Sequence, residues 1–420
     1  MIVLVVAMTF IISCRDDQDE VLSYNKWQVE NFKEADSTLE GQFKAFWSAM
    51  NSNYPIWDYE MQFGVDWDEI YDQYLPLFSN ADKEYKELGV PFSDSIFEET
   101  YKKIMLPLHD GHTYLLIRNL HTRRLIGIQP TLERVKMREH WKDEYNFIPN
   151  IQFYESTPYE NLRIKEWAYS PSCTYALFYD GIVYLYMKVC KFDEYFNEQG
   201  DNYNSWQFAQ ARNVWRKWFE TIQELHNTKM LKGIIIDVRG NQGGSGNCSK
   251  YVFGALQNGK YGGYQAYQRG FTRMKSGIGR LDYLPSVPLL WGILEEEHAD
   301  ITEPIVVLAN SMTASTAEHI CLDAKELPNA FVIGTQTWGA LSPSSELIDS
   351  INLIGGVGDL LNASFYIHLP TAAFFTDKGE ILESIGIKPD IKVAIDRARY
   401  NSSGRDNQLE KALEYIREFY

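Results

Sequence analysis

The chain has 420 residues, 45% hydrophobic and 23% charged, which is the composition of folded globular domains rather than of disordered segments. Its length supports two or three domains with full cores, and five cysteines are too few for a disulfide-stapled scaffold. The 57 acidic against 40 basic residues give a net charge of −17, which argues against a nucleic-acid-binding face and against tight adsorption to anionic lipid, since both need clustered Lys and Arg.

The first element is an apolar run from Ile2 to Ile12, with Thr9 its only polar member. It is too short for a membrane-spanning helix, which needs about 20 residues, and has the length of a signal-peptide core. It ends in Ser13-Cys14 and is followed by the acidic stretch Arg15-Asp16-Asp17-Gln18-Asp19-Glu20. This resembles a bacterial lipoprotein signal, with cleavage before Cys14 and lipidation of its thiol, and the acidic stretch resembles the surface-export signals of Bacteroidetes lipoproteins. No Lys or Arg precedes the apolar run, which departs from that pattern; the alternative is a buried N-terminal strand. The expectation is a signal peptide over residues 1–13, a tether over 14–38 and a membrane anchor through Cys14. Cys173, Cys190, Cys248 and Cys321 form no CxxC pair, so a zinc site is not supported, and a single disulfide stays open.

Residues 39–112 read as an N-terminal helical domain. Phe43, Phe46, Trp47 and Met50 recur at three- and four-residue spacing, Asp66 and Glu69 mark the start of a second helix, and Ser95–Met105 forms a third. Residues 113–180 read as a β-rich connecting region, with strand-like runs at 114–117 and 176–179 and room for a degenerate PDZ-like module. From Gly181 the pattern changes. Strands are predicted at 182–187, 233–238, 304–308 and 331–334, alternating with helices at 209–225, 247–256 and 315–327. That alternation argues an α/β core with a largely parallel sheet over residues 181–400, closed by a C-terminal helix at 401–420.

Three segments carry candidate chemistry. Asp237-Val238-Arg239-Gly240-Asn241-Gln242-Gly243-Gly244 follows a buried strand, and its glycines let main-chain N–H groups approach a ligand, as an oxyanion hole requires; the bland reading is a tight turn. Ala309-Asn310-Ser311-Met312-Thr313-Ala314-Ser315-Thr316-Ala317-Glu318-His319 runs from strand to helix and leaves the Ser315 hydroxyl at the positive helix end; the bland reading is a helix cap. Leu108-His109-Asp110-Gly111-His112-Thr113 offers a histidine as general base, against a plain loop histidine. Glu318 and His319 read as ordinary helix residues. Arg239 reads as pairing with an acid such as Asp237 rather than holding a substrate carboxylate. The 27 Tyr, 22 Phe and 11 Trp are spread along the chain and read as core and surface filler.

Taken together with Gly334-Thr335-Gln336-Thr337-Trp338-Gly339 and Glu383-Ser384-Ile385-Gly386-Ile387-Lys388-Pro389-Asp390, these segments resemble the C-terminal processing (tail-specific) peptidases over about residues 181–396. The resemblance implies a crotonase/Clp peptidase-like core with an N-terminal helical domain, in the α/β class. It implies Ser315 as nucleophile, Thr316 and one of Gly243 or Gly244 (Gly244 preferred) as oxyanion donors, and no cofactor or metal. Where the processing branch has its catalytic lysine, this chain has Ala340. In that respect, and in Thr337-Trp338-Gly339, it is similar to the tricorn-like branch, which implies His112 as base and Glu383 as the residue orienting it. Gly111 stands where that branch carries a relay serine.

The expected function is thus a lipid-anchored envelope serine peptidase acting on peptides or unfolded proteins. Its substrate preference, endo- or exopeptidase mode and oligomeric state stay open. The alternatives are an inactive peptide- or glycan-binding lipoprotein on the same scaffold, and a crotonase-like acyl-thioester enzyme.

Overall fold

The structure, a computed structural model, describes residues 37–254, 256, 267–276, 279–291, 301–343 and 364–419. The expected signal peptide, Cys14 and the tether up to residue 36 lie outside the described residues. The chain divides into unit one (Met1–Glu133, Phe271–Val287, Ser342–Phe375) and unit two (Arg134–Gly270, Pro288–Leu341, Thr376–Tyr420).

In unit one, helices α1 (Leu39–Asn53), α2 (Trp67–Leu88) and α3 (Asp94–Met105) form where the apolar spacing predicts them. Asp66 caps α2 by accepting the N–H groups of Asp68 and Glu69 at 3.0 and 3.1 Å, and Gly89 ends it in the left-handed conformation. The buried faces meet through aromatic rings: Phe43 on Phe78 at 5.0 Å and Phe46 edge-on to Tyr101 at 5.4 Å between centroids. Strand β1 (Tyr114–Arg118) lies between β2 (Leu125–Ile128) and β11 (Phe365–His368), antiparallel to both, with Tyr114 opposite His368. The buried Gln42 amide of α1 donates to the carbonyls of Arg118 and Ser364, each at 2.9 Å, and fastens the helices to this sheet. Helix α4 (Pro130–Lys136) runs across the division of the chain at Glu133, and α5 (Trp141–Glu144) belongs to unit two; the sequence pattern anticipates neither.

Unit two is built on a seven-stranded sheet. Its strands are β3 (Ile164–Tyr169), β4 (Cys173–Phe178), β5 (Ile182–Met187), β6 (Gly233–Asp237), β9 (Ile305–Ala309), β10 (Ala330–Gly334) and β13 (Ile391–Lys392), in the order β13-β10-β9-β6-β5-β4-β3. The run from β5 to β13 is parallel, and β3 and β4 add to it antiparallel. Every residue of β4, β5, β6 and β9 is buried, which accounts for their unbroken apolar runs. Helix α6 (Trp206–Asn227) packs on β3, β4 and β5, and α8 (Thr316–Glu326) packs on β9 and β10. Helix α9 (Asn407–Arg417) sets Leu409, Leu413 and Ile416 into the cluster holding Ile235, Val306 and Leu308. Between α6 and α8 lies α7 (Cys248–Gly254); the residues of β7 (Tyr267–Arg273), β8 (Val287–Trp291) and β12 (Ala373–Thr376) are divided between units one and two. Cys173, Cys190, Cys248 and Cys321 are buried free thiols.

The register positions the site. Asp237 stands opposite Leu308, and Ala309 opposite Gly334, so β6, β9 and β10 end level. The loops that follow them, 238–244, 310–315 and 335–340, therefore all leave the carboxyl ends of the parallel strands, where ligands bind in parallel α/β folds.

Candidate active site

Ser315 occupies φ 56°, ψ −127°, a left-handed conformation that L-residues rarely adopt. The surrounding loops hold it there. Asn310 Oδ1 accepts the N–H groups of Gly240 (3.0 Å) and Met312 (3.1 Å), Thr313 Oγ1 donates to the Val238 carbonyl (2.9 Å), and the Ala314 N–H donates to the Asn241 carbonyl (2.9 Å). Buried Glu144 adds a further anchor by accepting the Ser311 N–H at 2.9 Å and the Thr335 hydroxyl at 2.5 Å. The turn delivers Ser315 directly to the first residue of α8, where the helix end favours negative charge.

The glycine turn packs against this elbow. A Cβ on Gly243, which has φ 97°, would lie 2.6 Å from Ser315 Cβ and 3.0 Å from the Thr316 nitrogen. A Cβ on Gly244, with φ 140°, would lie 2.3 Å from the Cys190 carbonyl oxygen. Only glycine fits either place. The Gly243 N–H is engaged by Asn241 Oδ1 at 2.8 Å, and the Thr316 hydroxyl donates to the Gly244 carbonyl at 2.9 Å. Among the described residues no acceptor meets the N–H of Gly244 or of Thr316. Two main-chain donors beside a serine hydroxyl are thus open.

Glu318 departs from the reading of it as an ordinary helix residue. It is fully buried, and its carboxylate accepts four hydrogen bonds: the Ser315 N–H at 3.1 Å, the Thr337 hydroxyl at 2.5 Å, and the Gly339 and Ala340 N–H groups at 2.7 Å each. Burial pushes its carboxyl pKa up, against the pull of those four donors. Glu318 is the carboxylate half of a capping box with Ser315. The Ser-x-x-Glu spacing before an apolar helix is the signal that could have found it.

The loop of residues 337–340 interlocks with the loop after Glu383. The Ser384 N–H donates to the Gly339 carbonyl at 2.9 Å, and the Thr337 hydroxyl oxygen accepts the Ile387 N–H at 2.6 Å. Glu383 is buried and accepts the Leu341 N–H at 2.9 Å. Ala340, in the place of the lysine, is buried. His319 Nε2 lies 2.9 Å from the Leu341 carbonyl oxygen. Arg239 pairs with an acid, as expected, and with more than one. Fully buried, it bonds Asp237 (2.9 and 2.5 Å), Asp406 (2.9 and 2.7 Å) and Gln408 (2.9 Å), and so bolts the start of α9 under the glycine turn.

Unit one carries His112. Asp110 Oδ1 accepts the N–H groups of His112 and Thr113 at 2.7 Å each and the Thr113 hydroxyl at 3.0 Å, a turn that fixes the loop, while the Thr131 hydroxyl donates to the Asp110 carbonyl at 2.8 Å. The ring of His112 is partly buried, and among the described residues its Nδ1 has no hydrogen-bond partner. Burial first, and the neighbouring His368 second, push its pKa down to about 4, so the imidazole is neutral and able to accept a proton at physiological pH. Burial raises Asp110 to about 7. Ser315, Thr316, Gly243, Gly244 and Glu383 thus all belong to unit two, and His112 belongs to unit one.

Unit two thus sets a strained serine and two open main-chain donors at one end of an α/β core. Residues 185–393 match the model of Peptidase family S41, which bears out the resemblance to C-terminal processing peptidases drawn from the motifs. The chain is 31% identical over 172 residues to the carboxy-terminal-processing protease of Bartonella bacilliformis; the match covers 41% of this chain and 33% of that protein, about a third of its length. The fold is shared with a Parabacteroides merdae protein assigned as a peptidase (21% identity, TM-score 0.59, 90% of this chain and 97% of that one). It is also shared with mature CPAF (11% identity, TM-score 0.54, 90% and 96%).

Proposed function

We propose that the protein is a peptidase of the cell envelope that cleaves peptides or unfolded proteins with Ser315 as nucleophile. The observation that carries this reading is the strained Ser315 at the head of α8 with the Gly244 and Thr316 N–H groups open beside it. In the proposed reaction His112 takes the Ser315 proton as the hydroxyl attacks the scissile carbonyl and returns it to the leaving amine. Gly244 and Thr316 hold the oxyanion, and Glu383 orients the imidazole. The neutral state of His112 at physiological pH supports its role as base. Of the two candidate glycines, Gly244 is preferred because the Gly243 N–H is already committed to Asn241.

The test is turnover of an unstructured peptide by the purified full-length chain, together with covalent trapping by a serine-directed electrophile. The wild type should cleave and gain the adduct on Ser315; Ser315→Ala should do neither. Equal turnover by both would refute the assignment. Buried Ala340, in place of a lysine, favours a second reading in which the site binds peptide without cleaving it. Tight peptide binding with no turnover and no adduct would establish that reading instead. The apolar run ending at Cys14, together with the carboxy-terminal-processing name of the Bartonella relative, supports an envelope location with a lipid anchor. No helix among the described residues is long and apolar enough to cross a membrane. Incorporation of labelled palmitate, lost in Cys14→Ala, tests the anchor.

A further inference from the structure

One side chain of unit two joins the loops of the site without belonging to any of them. Arg138 lies between α4 and α5, far in sequence from every motif that carries chemistry. Its guanidinium donates to five main-chain carbonyls: Nη1 to those of Gln336 (3.2 Å) and Thr337, and Nη2 to those of Trp338 (3.2 Å), Ser384 (3.3 Å) and Ile385 (3.3 Å). Three of these carbonyls belong to the loop that Glu318 grips through Thr337, Gly339 and Ala340. The other two directly follow Glu383, where Ser384 is held at φ 57° and Arg134 donates to the Ser384 hydroxyl at 3.2 Å.

Five carbonyl oxygens turned toward one point repel one another unless a cation sits among them. The two Nη groups of a planar guanidinium, with four N–H bonds shared among the five carbonyls, can serve two loops at once, whereas the compact ammonium of lysine has three donors around a point and cannot span them. The guanidinium is partly buried; burial lowers its pKa, and the nearby carboxylates of Glu318 and Glu144 oppose that loss of charge.

We propose that Arg138 is a positioning residue for catalysis, setting the Glu383 loop against the loop of residues 335–340, which is braced by the same Glu318 carboxylate that holds the Ser315 N–H. The inference rests on the proposed roles of Ser315 and Glu383. Arg138 touches no reacting atom in this scheme; it fixes the distance between the brace of the nucleophile and the carboxylate that orients the base.

The experiment compares Arg138→Lys and Arg138→Ala with wild type in the full-length chain, each also in a Glu383→Gln background. It measures kcat and KM on an unstructured peptide, thermal unfolding, and rescue by millimolar methylguanidinium. Arg138→Lys should fold and keep KM within about threefold, yet lose kcat by roughly ten- to a hundredfold, as small misplacements of catalytic groups do. Methylguanidinium should restore part of the kcat of Arg138→Ala, and in the Glu383→Gln background Arg138→Lys should cost less than about threefold more. Wild-type kcat in Arg138→Lys would overturn the proposal. So would an undiminished loss in the Glu383→Gln background, absence of rescue by methylguanidinium, or failure of both variants to fold. Wild-type kcat in Glu383→Gln alone would instead remove the role assigned to Glu383, a separate result.

Discussion

Replacing Glu318 by Gln keeps the shape of the side chain and removes two acceptors. The carboxylate now serves four donors, two on each oxygen: Thr337 and Gly339 on Oε1, Ser315 and Ala340 on Oε2. An amide offers a single oxygen, so whichever way it turns, two N–H or O–H donors face an NH2 group. Hydrogen bonds to charged groups contribute about 1.5–3 kcal/mol each, so losing two costs roughly 3–6 kcal/mol. Part of this is recovered because the variant no longer buries a charge, whose desolvation shows in the raised pKa of Glu318. The expected net loss in unfolding free energy is about 2–4 kcal/mol. Two of the four bonds hold the Ser315 and Ala340 main chain, so, with Ser315 as the proposed nucleophile, kcat should fall by roughly a hundredfold through its displacement. Urea unfolding followed by tryptophan fluorescence gives the first quantity and steady-state peptide cleavage the second. A Glu318→Gln variant within about 0.5 kcal/mol and twofold of wild type would refute the reasoning, because a buried four-bond carboxylate cannot be exchanged so cheaply.

Gly243→Ala should fold less stably by about 1–3 kcal/mol from the positive φ alone, and lose most turnover because the new Cβ would meet Ser315 Cβ at 2.6 Å; activity near wild type would contradict the packing. Asp406→Ala strands the buried Arg239 guanidinium with one acid fewer and should destabilise unit two by about 3–5 kcal/mol, read by urea unfolding. Because His112 titrates near 4 in the fold against 6.5 ordinarily, the acid limb of kcat/KM should lie near pH 4 and not near 6.5. The stability that the neutral ring contributes should be complete above pH 6.5 and lost as pH falls through 4, and His112→Asn should remove that dependence.

The central sheet was legible because buried parallel strands leave unbroken apolar runs. Ile182–Met187, Gly233–Asp237 and Ile305–Ala309 are β5, β6 and β9 within a residue or so of the predicted bounds. Strand β3 was not legible: it is the edge of the sheet, Lys165, Glu166 and Tyr169 are exposed, and its pattern carries neither a continuous run nor a clean alternation. The glycine turn and Ser315 were visible because close approach and a strand-to-helix elbow select particular residue types. Glu318 had a visible pattern whose weight depends on what lies above it, and the loop that supplies three of its four donors comes from residues 337–340. Arg138 had no pattern at all, because an arginine that binds main-chain carbonyls asks nothing of the identity of its partners.

The bolt between Arg239 and Asp406 ties the region under the glycine turn to residues near the far end of the chain. During synthesis the strands, the Ser315 turn and the loops around it are all made before Asp406 leaves the ribosome, and until then a charged guanidinium beneath the turn lacks one of its counter-ions. The loop beneath the glycine turn therefore gains its full set of partners only when residues 406–408, remote from it in sequence, pack against Arg239.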